Sequence, residues 1–112
     1  MRRGVILVLL LTGCGSESTG PTAPDPILVG AGDISSCAND GDEATARILD
    51  DGVFPPGAPA ERGLVFTLGD NAYDTGSPGE FTACYDPTWG RHRSRTRPAP
   101  GNHDYITPGA QG

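Results

Sequence analysis

The chain has 112 residues and a formal net charge of −6, and its 17 glycines and 11 prolines make up a quarter of it. This length allows at most one domain, and the glycines follow no repeat that would indicate collagen. An acidic balance argues against a general nucleic-acid binder, because counterion release requires a positively charged surface. The apolar runs between the glycines and prolines predict a globular domain that is rich in loops.

The first predicted element is an export signal. Two arginines precede an apolar run from Val5 to Leu11, which is much shorter than the roughly 20 residues that span a bilayer. The run leads into Leu11-Thr12-Gly13-Cys14, which resembles the lipobox of bacterial lipoproteins. That resemblance implies a signal peptide over residues 1–13 and lipidation of Cys14. The protein would then be exported and anchored in a membrane, on the periplasmic or cell-surface side. The alternative is an ordinary secretory signal with an incidental cysteine.

Residues 14–26 are rich in serine, threonine, glycine and proline, which predicts a flexible tether ahead of a domain that begins at Ile27. With Cys14 lipidated, Cys37 and Cys84 remain. An even pair in an oxidising compartment predicts a disulfide between them, and the alternative is two buried free thiols. Two sulfurs are too few for a cysteine-based zinc site.

Two apolar runs, Ile27–Ala31 and Leu64–Leu68, predict parallel strands of an α/β fold. They are continuous rather than alternating, which is typical of strands covered on both faces. Asp42–Asp50 predicts a crossover helix between them. A third run, Pro98–Pro100, predicts an edge strand or a short extended segment.

The predicted helix begins with acidic residues, and Asn39 or Asp40 can cap it. Ala44, Ile48 and Leu49 lie at helical spacing and form its apolar face, and Gly52 is expected to end it.

Two later segments have patterns of their own. Glu80–Trp89 predicts a short helical face against the sheet, made of Phe81, Cys84, Tyr85 and Trp89, and an aromatic binding platform is the alternative. Arg91–Arg97 has arginine at every second position, which predicts an extended strand edge in solvent. The alternative for this segment is a phosphate-binding stretch.

Each apolar run leads into a glycine followed by a polar residue: Gly32-Asp33, Gly69-Asp70 and Gly101-Asn102. Because the carboxyl ends of parallel strands meet at one edge of a sheet, we expect these side chains to converge. Neighbouring carboxylates repel unless a cation lies between them, and oxygen ligands suit hard ions. The alternative is that these dipeptides only close turns.

In order, the three motifs are Gly32-Asp33, Gly69-Asp70-Asn71-Ala72-Tyr73 and Gly101-Asn102-His103-Asp104. Together they resemble the calcineurin-like metallophosphoesterases, and among these most of all the purple acid phosphatases. The resemblance implies the N-terminal half of an αββα sandwich. It also implies a phosphate-ester hydrolase with two metal ions, iron together with zinc, manganese or a second iron. These ions activate a water for attack on phosphorus.

The resemblance also implies roles for single residues. Asp33 binds the first metal, Asp70 bridges both, Asn102 binds the second, and Tyr73 binds iron as a phenolate. His103 lies beside the leaving group as a hydrogen-bond donor or general acid. The alternatives without a catalytic role are an aromatic side chain that packs beside the strand end for Tyr73, and a histidine in a surface turn for His103.

The chain departs from the family at two places. Ser35 stands where many relatives have a histidine, and the three histidines that complete the family's site do not follow His103. His92, the only other histidine, is assigned to a solvated loop. The resemblance therefore implies a domain truncated at its C-terminus, with an incomplete active site and no activity of its own.

Two other functions stay open. One is a phosphodiesterase or nuclease of the same superfamily, because the same metals serve these reactions and phosphatase chemistry alike. Apart from this alternative, the expected partners are a phosphate-ester substrate and the membrane, and nucleic acid is not expected. The other is a non-catalytic surface lipoprotein module, in which the motif residues close turns or hold one structural ion.

Overall fold

The computed structural model describes residues 24–111. The predicted signal peptide, the lipidation site at Cys14 and the tether up to residue 23 lie outside these residues. Residues 24–26 are exposed and have no regular structure. No helix in the described part of the chain is long and apolar enough to cross a membrane.

The fold is α/β and is built on a three-stranded parallel sheet in the order β1-β3-β5. Its strands are β1 (Ile27–Ala31), β3 (Gly63–Thr67) and β5 (Thr96–Arg97). The two predicted strands are confirmed, with the second beginning one residue earlier. The third was predicted too late: the strand precedes Pro98–Pro100, because a proline has no N–H to donate to a ladder.

A second, smaller sheet continues past the carboxyl ends of β1 and β3. It pairs β2 (Ser35–Ser36) with β4 (Ala72–Tyr73) in parallel. Backbone hydrogen bonds join the two segments before this pair, from the N–H of Asp33 to the carbonyl of Gly69 and from Ile34 to Asp70. The first and second motifs therefore run side by side.

The predicted crossover helix is confirmed, with different limits. It begins as α1 (Gly41–Arg47) and continues as a wider π-helical segment, Ile48–Val53, so Gly52 does not end it. Asp40 is the N-cap residue but its side chain makes no capping hydrogen bond, whereas the side chain of Asn39, one position earlier, accepts from the N–H of Gly41 at 2.9 Å.

The apolar face predicted for this helix is only partly right. Leu49 is buried, together with Ala46, but Ile48 is 64% exposed and Ala44 also faces solvent. The helix therefore packs on the sheet through a narrower stripe than its apolar spacing indicates.

The second helical segment is α2 (Pro78–Glu80), which continues as a π-helical segment, Phe81–Tyr85. Cys84, Tyr85 and Trp89 are buried, and Phe81 packs against the core, so the predicted helical face is confirmed. A disulfide joins Cys37 to Cys84 with their Cα atoms 5.5 Å apart, as the pairing of the two cysteines predicts.

Three 3-10 helical segments complete the described elements: Ala60–Arg62, Trp89–Arg95 and Pro108–Ala110. The prediction of an extended strand edge over Arg91–Arg97 is therefore wrong, since only Arg97 and the preceding threonine form a strand. The helical backbone sends successive arginines to different partners. Arg91 pairs with Glu43 and Asp50, whereas Arg95 stacks over the Phe54 ring at 4.3 Å.

The solvated role predicted for His92 is also wrong. Its side chain is buried, its Nε2 lies 2.8 Å from Asp50 Oδ1, and its ring contacts that of Phe54. These partners lie about forty positions earlier in the chain, so the local arginine-rich sequence gives no sign of them.

The core lies between the helices and one face of the sheet. Its buried apolar residues include Leu49, Val65 and Trp89. The opposite face is not covered within the described residues: Leu28 is 70% exposed, Leu68 is 71% exposed, and Leu64 lies directly opposite Leu28 on the neighbouring strand. The prediction that both faces are covered is therefore wrong for this part of the chain.

Candidate metal centre

Asp33 and Asp70 follow neighbouring strands at the same edge of the sheet. Both have left-handed backbone conformations, with φ of 53° and 51°. For residues other than glycine this conformation costs about 1–2 kcal/mol, and such strain is concentrated at functional sites. Asp33 and Asp70 thus have the same unusual backbone conformation, which orients their carboxylates differently from side chains on an extended strand end.

The hydroxyl of Tyr73 joins these carboxylates. Its Oη lies 3.0 Å from Asp70 Oδ2 and also contacts Asp33 Oδ1. Three side-chain oxygens are therefore in contact, although the hydroxyl hydrogen of Tyr73 can be donated to only one of the two carboxylates at a time. The hydrogen bond to Asp33, burial and the hydrogen bond to Asp70 all raise the pKa of Tyr73 above its usual range. A bound cation acts in the opposite direction, because it favours the phenolate.

The third motif packs against Asp70, and Gly101 makes this approach possible. A Cβ atom at Gly101 would lie 2.2 Å from Asp70 Oδ1, so no other residue fits there without a shift of the backbone. The N–H of His103 donates to the same Oδ1 at 2.9 Å. Asp70 therefore contacts Tyr73 through one carboxylate oxygen and the third motif through the other, which is the place expected of a shared ligand.

Asn102 is the predicted ligand that the structure does not join to the others. It lies between Gly101 and His103, but its side chain is exposed and makes no hydrogen bond within residues 24–111. The structure thus brings together Asp33, Asp70 and Tyr73, and it places Asn102 only in the adjoining turn.

His103 lies beside the oxygen cluster. Its ring centroid is 4.5 Å from that of Tyr73, and its Nδ1 is 2.7 Å from the carbonyl oxygen of Asp74. It is partly exposed. The imidazole therefore lies next to the three oxygens with part of its surface open to solvent.

Asp104 has a role that the sequence reasoning missed. Its carboxylate is buried and accepts from the backbone N–H groups of Asn71, Ala72 and Gly101 and from the side-chain amide of Asn71. It thereby fastens the second motif to the third. The signal for it was the acidic residue that ends the third motif.

Glu80 was missed as well. Its carboxylate binds the loop of residues 74–77, which leads out of the second motif. Burial raises the pKa of Glu80, but the hydrogen bonds from Ser77, Thr75 and Asp74 outweigh it and bring the pKa to about 2. The Ser77-x-x-Glu80 capping-box pattern was the available signal.

The cluster borders an open cavity of about 530 Å³, which Asp33, Ser35, Tyr73 and Asp74 help to line. No group of three or more His, Cys, Asp and Glu side chains in residues 24–111 is arranged to hold a metal ion. The donors that do meet are two carboxylates and a phenol. This all-oxygen set fits a hard cation, and a zinc ion here would need nitrogen ligands in addition.

Comparisons with protein-family models, with curated proteins and with solved structures find no match to this chain.

Proposed function

We propose that this chain carries part of the metal centre of a phosphoric ester hydrolase similar to the calcineurin-like metallophosphoesterases, and of the acid phosphatase type. The observation that carries the proposal is the meeting of Asp33, Asp70 and Tyr73 at the edge of the sheet, with His103 beside them. The three motifs that resemble the family are the segments that supply these residues.

In this proposal the side chains have distinct tasks. Asp33, Asp70 and Tyr73 hold the metal ions, to which Asn102 contributes its side-chain oxygen. Two ions bound here, iron with zinc, manganese or a second iron, would supply the Lewis acid and the activated water of metal-assisted hydrolysis. His103 hydrogen-bonds the leaving-group oxygen and transfers a proton to it.

Cation binding is the first test, since it needs only the residues that the structure brings together. Mn²⁺ is titrated into the protein and the heat of binding is measured. We expect Asp70→Asn to weaken Mn²⁺ binding by at least about tenfold. Mutation of a residue that only hydrogen-bonds a metal ligand already lowers metal affinity by about that factor, and Asp70 is proposed to bind the ion directly. Asp51→Asn, which changes an exposed carboxylate on the helix, should bind as the wild type does. Equal affinity of Asp70→Asn and wild type would contradict the proposal.

The role of Tyr73 has a spectroscopic signature of its own. Addition of Fe³⁺ as its citrate complex should produce a visible absorption band from phenolate-to-iron charge transfer. Tyr73→Phe should lack this band. Because the histidines that complete the family's site do not follow His103, we expect hydrolysis of p-nitrophenyl phosphate only from a protein that also supplies them.

A non-catalytic module that holds a single cation is the second candidate. The small donor set favours it, because the described residues bring only three oxygens together. Cation binding that depends on Asp70 is expected of both candidates, whereas hydrolysis of p-nitrophenyl phosphate by the metal-loaded protein would exclude the non-catalytic module.

A further inference from the structure

We propose that Glu80 is a positioning residue for His103, which it orients through the loop of residues 74–77. Glu80 lies on α2 and has no hydrogen bond to the imidazole. The significance for a reaction rests on the proposed function, in which His103 carries the proton, whereas the positioning itself is a property of the fold.

The first link is between Glu80 and the loop. The carboxylate accepts from the backbone N–H groups of Thr75 at 3.2 Å and of Ser77 at 2.8 Å, and also from that of Asp74. It accepts from the hydroxyls of Thr75 and Ser77 at 2.9 and 2.8 Å. Five donors therefore converge on one side chain, and a carboxylate suits them because both of its oxygens accept and neither donates.

The second link is a single peptide group. The N–H of Thr75 and the C=O of Asp74 belong to the same planar unit, in which they point to opposite sides of the chain. Glu80 holds the N–H, and this fixes the direction of the carbonyl. The Asp74 oxygen then lies 2.7 Å from His103 Nδ1.

The far side of the loop is anchored as well. The carbonyl of Thr75 accepts from the N–H of Thr107 at 3.0 Å and from its hydroxyl at 2.8 Å. The loop is therefore held between Glu80 and the segment that follows the third motif, so the carbonyl that faces His103 has little freedom to rotate.

The consequence for His103 follows from hydrogen-bond chemistry. A carbonyl oxygen only accepts, so Nδ1 must carry the hydrogen. In the neutral ring the other nitrogen, Nε2, then carries no hydrogen, because the partner of one ring nitrogen sets the state of the other. Glu80 thus determines which nitrogen of His103 takes part in proton transfer.

Ser77 provides a matched control, because Glu80 also forms a capping box with it at the start of α2. Ser77→Ala removes the side chain of the cap and leaves the contacts of Glu80 with Asp74 and Thr75. A role limited to capping predicts the same effect for Ser77→Ala and Glu80→Gln. A positioning role predicts an effect for Glu80→Gln alone.

The experiment measures the tautomer of His103 by long-range ¹⁵N–¹H correlation in the full chain at alkaline pH. We expect the wild type to hold the hydrogen on Nδ1. Glu80→Gln should give a mixture of tautomers, because the glutamine NH₂ group meets backbone donors. Ser77→Ala should match the wild type, and His92, the other histidine, reports whether each variant is folded.

Three outcomes would overturn the proposal: a wild-type His103 with its hydrogen on Nε2, an unchanged tautomer in Glu80→Gln, or equal changes in Glu80→Gln and Ser77→Ala. The first needs no variant, so a variant that fails to fold leaves the test intact. The spectra require neither metal nor substrate. If the wild type bound no Mn²⁺ but His103 had the expected tautomer, the proposed function would be contradicted and the role of Glu80 would stand.

Discussion

Asp104 holds the second and third motifs together, although it does not touch the oxygen cluster. Asp104→Asn replaces one acceptor oxygen with an NH₂ group that faces the donors of Asn71 and Gly101. A buried donor left without a partner costs about 1–3 kcal/mol. We expect the free energy of unfolding, measured with urea, to fall by about this amount.

The exposed Asp51 is again the control, and Asp51→Asn should change the free energy of unfolding by less than about 0.5 kcal/mol. Equal stabilities of the two variants would show that Asp104 has no special part in joining the motifs.

For single residues, the sequence predicts the position of a side chain when that position depends on nearby residues of the chain. It fails when the contacts are made with residues far away in the sequence. Asp33 and Asp70 lie at one sheet edge as expected, because each comes shortly after the end of its own strand. The burial of His92 depends on Asp50 and Phe54, which the fold alone brings to it.

Among the elements, the disulfide makes the most direct link between distant parts of the chain. Cys37 follows β2, and Cys84 lies 47 positions later on the helix after the second motif. Closing a loop of this length reduces the entropy of the unfolded chain, and typical stabilisation is about 2–4 kcal/mol.

We therefore expect reduction by dithiothreitol to lower the urea midpoint of the wild type. A double variant with serine at both cysteines should show the lower midpoint with and without the reductant. Identical wild-type midpoints under both conditions would contradict a stabilising disulfide.

The limits of the elements follow from contacts that periodicity does not reveal. The helix after β1 was expected to end at Gly52, but the turn continues to Val53 before the buried Phe54. β5 precedes the prolines that suggested it. Arginine at alternate positions indicated a strand. In the structure these arginines lie along a 3-10 helix, where they form ion pairs with Asp50 and Asp86 or stack over the Phe54 ring.

For the whole molecule, the α/β class and the parallel order of the strands could be predicted from the apolar runs. The one-sided sheet could not, because Leu28, Leu64 and Leu68 are as apolar as the residues of the core. A hydrophobic run predicts a strand but does not say how many of its faces are covered.

The lipobox resemblance gives a prediction for the protein in a bacterial host. We expect the wild type in the membrane fraction, released by detergent but not by salt, because acyl chains add hydrophobic anchoring. Cys14→Ser should lose the acyl label from radioactive palmitate. A wild type that is unlabelled and freely released would support the ordinary secretory signal instead.

The Cys37–Cys84 bridge has one further consequence, which concerns proteolysis. The second motif lies entirely inside the ring that the bridge closes, and so does the exposed stretch Pro55–Gly57. A protease that cuts this stretch breaks the chain but leaves both pieces covalently joined. Asp33 and Asp70 would then remain parts of one molecule across the nick, because the bridge connects the segment that carries Asp33 to the segment that carries Asp70.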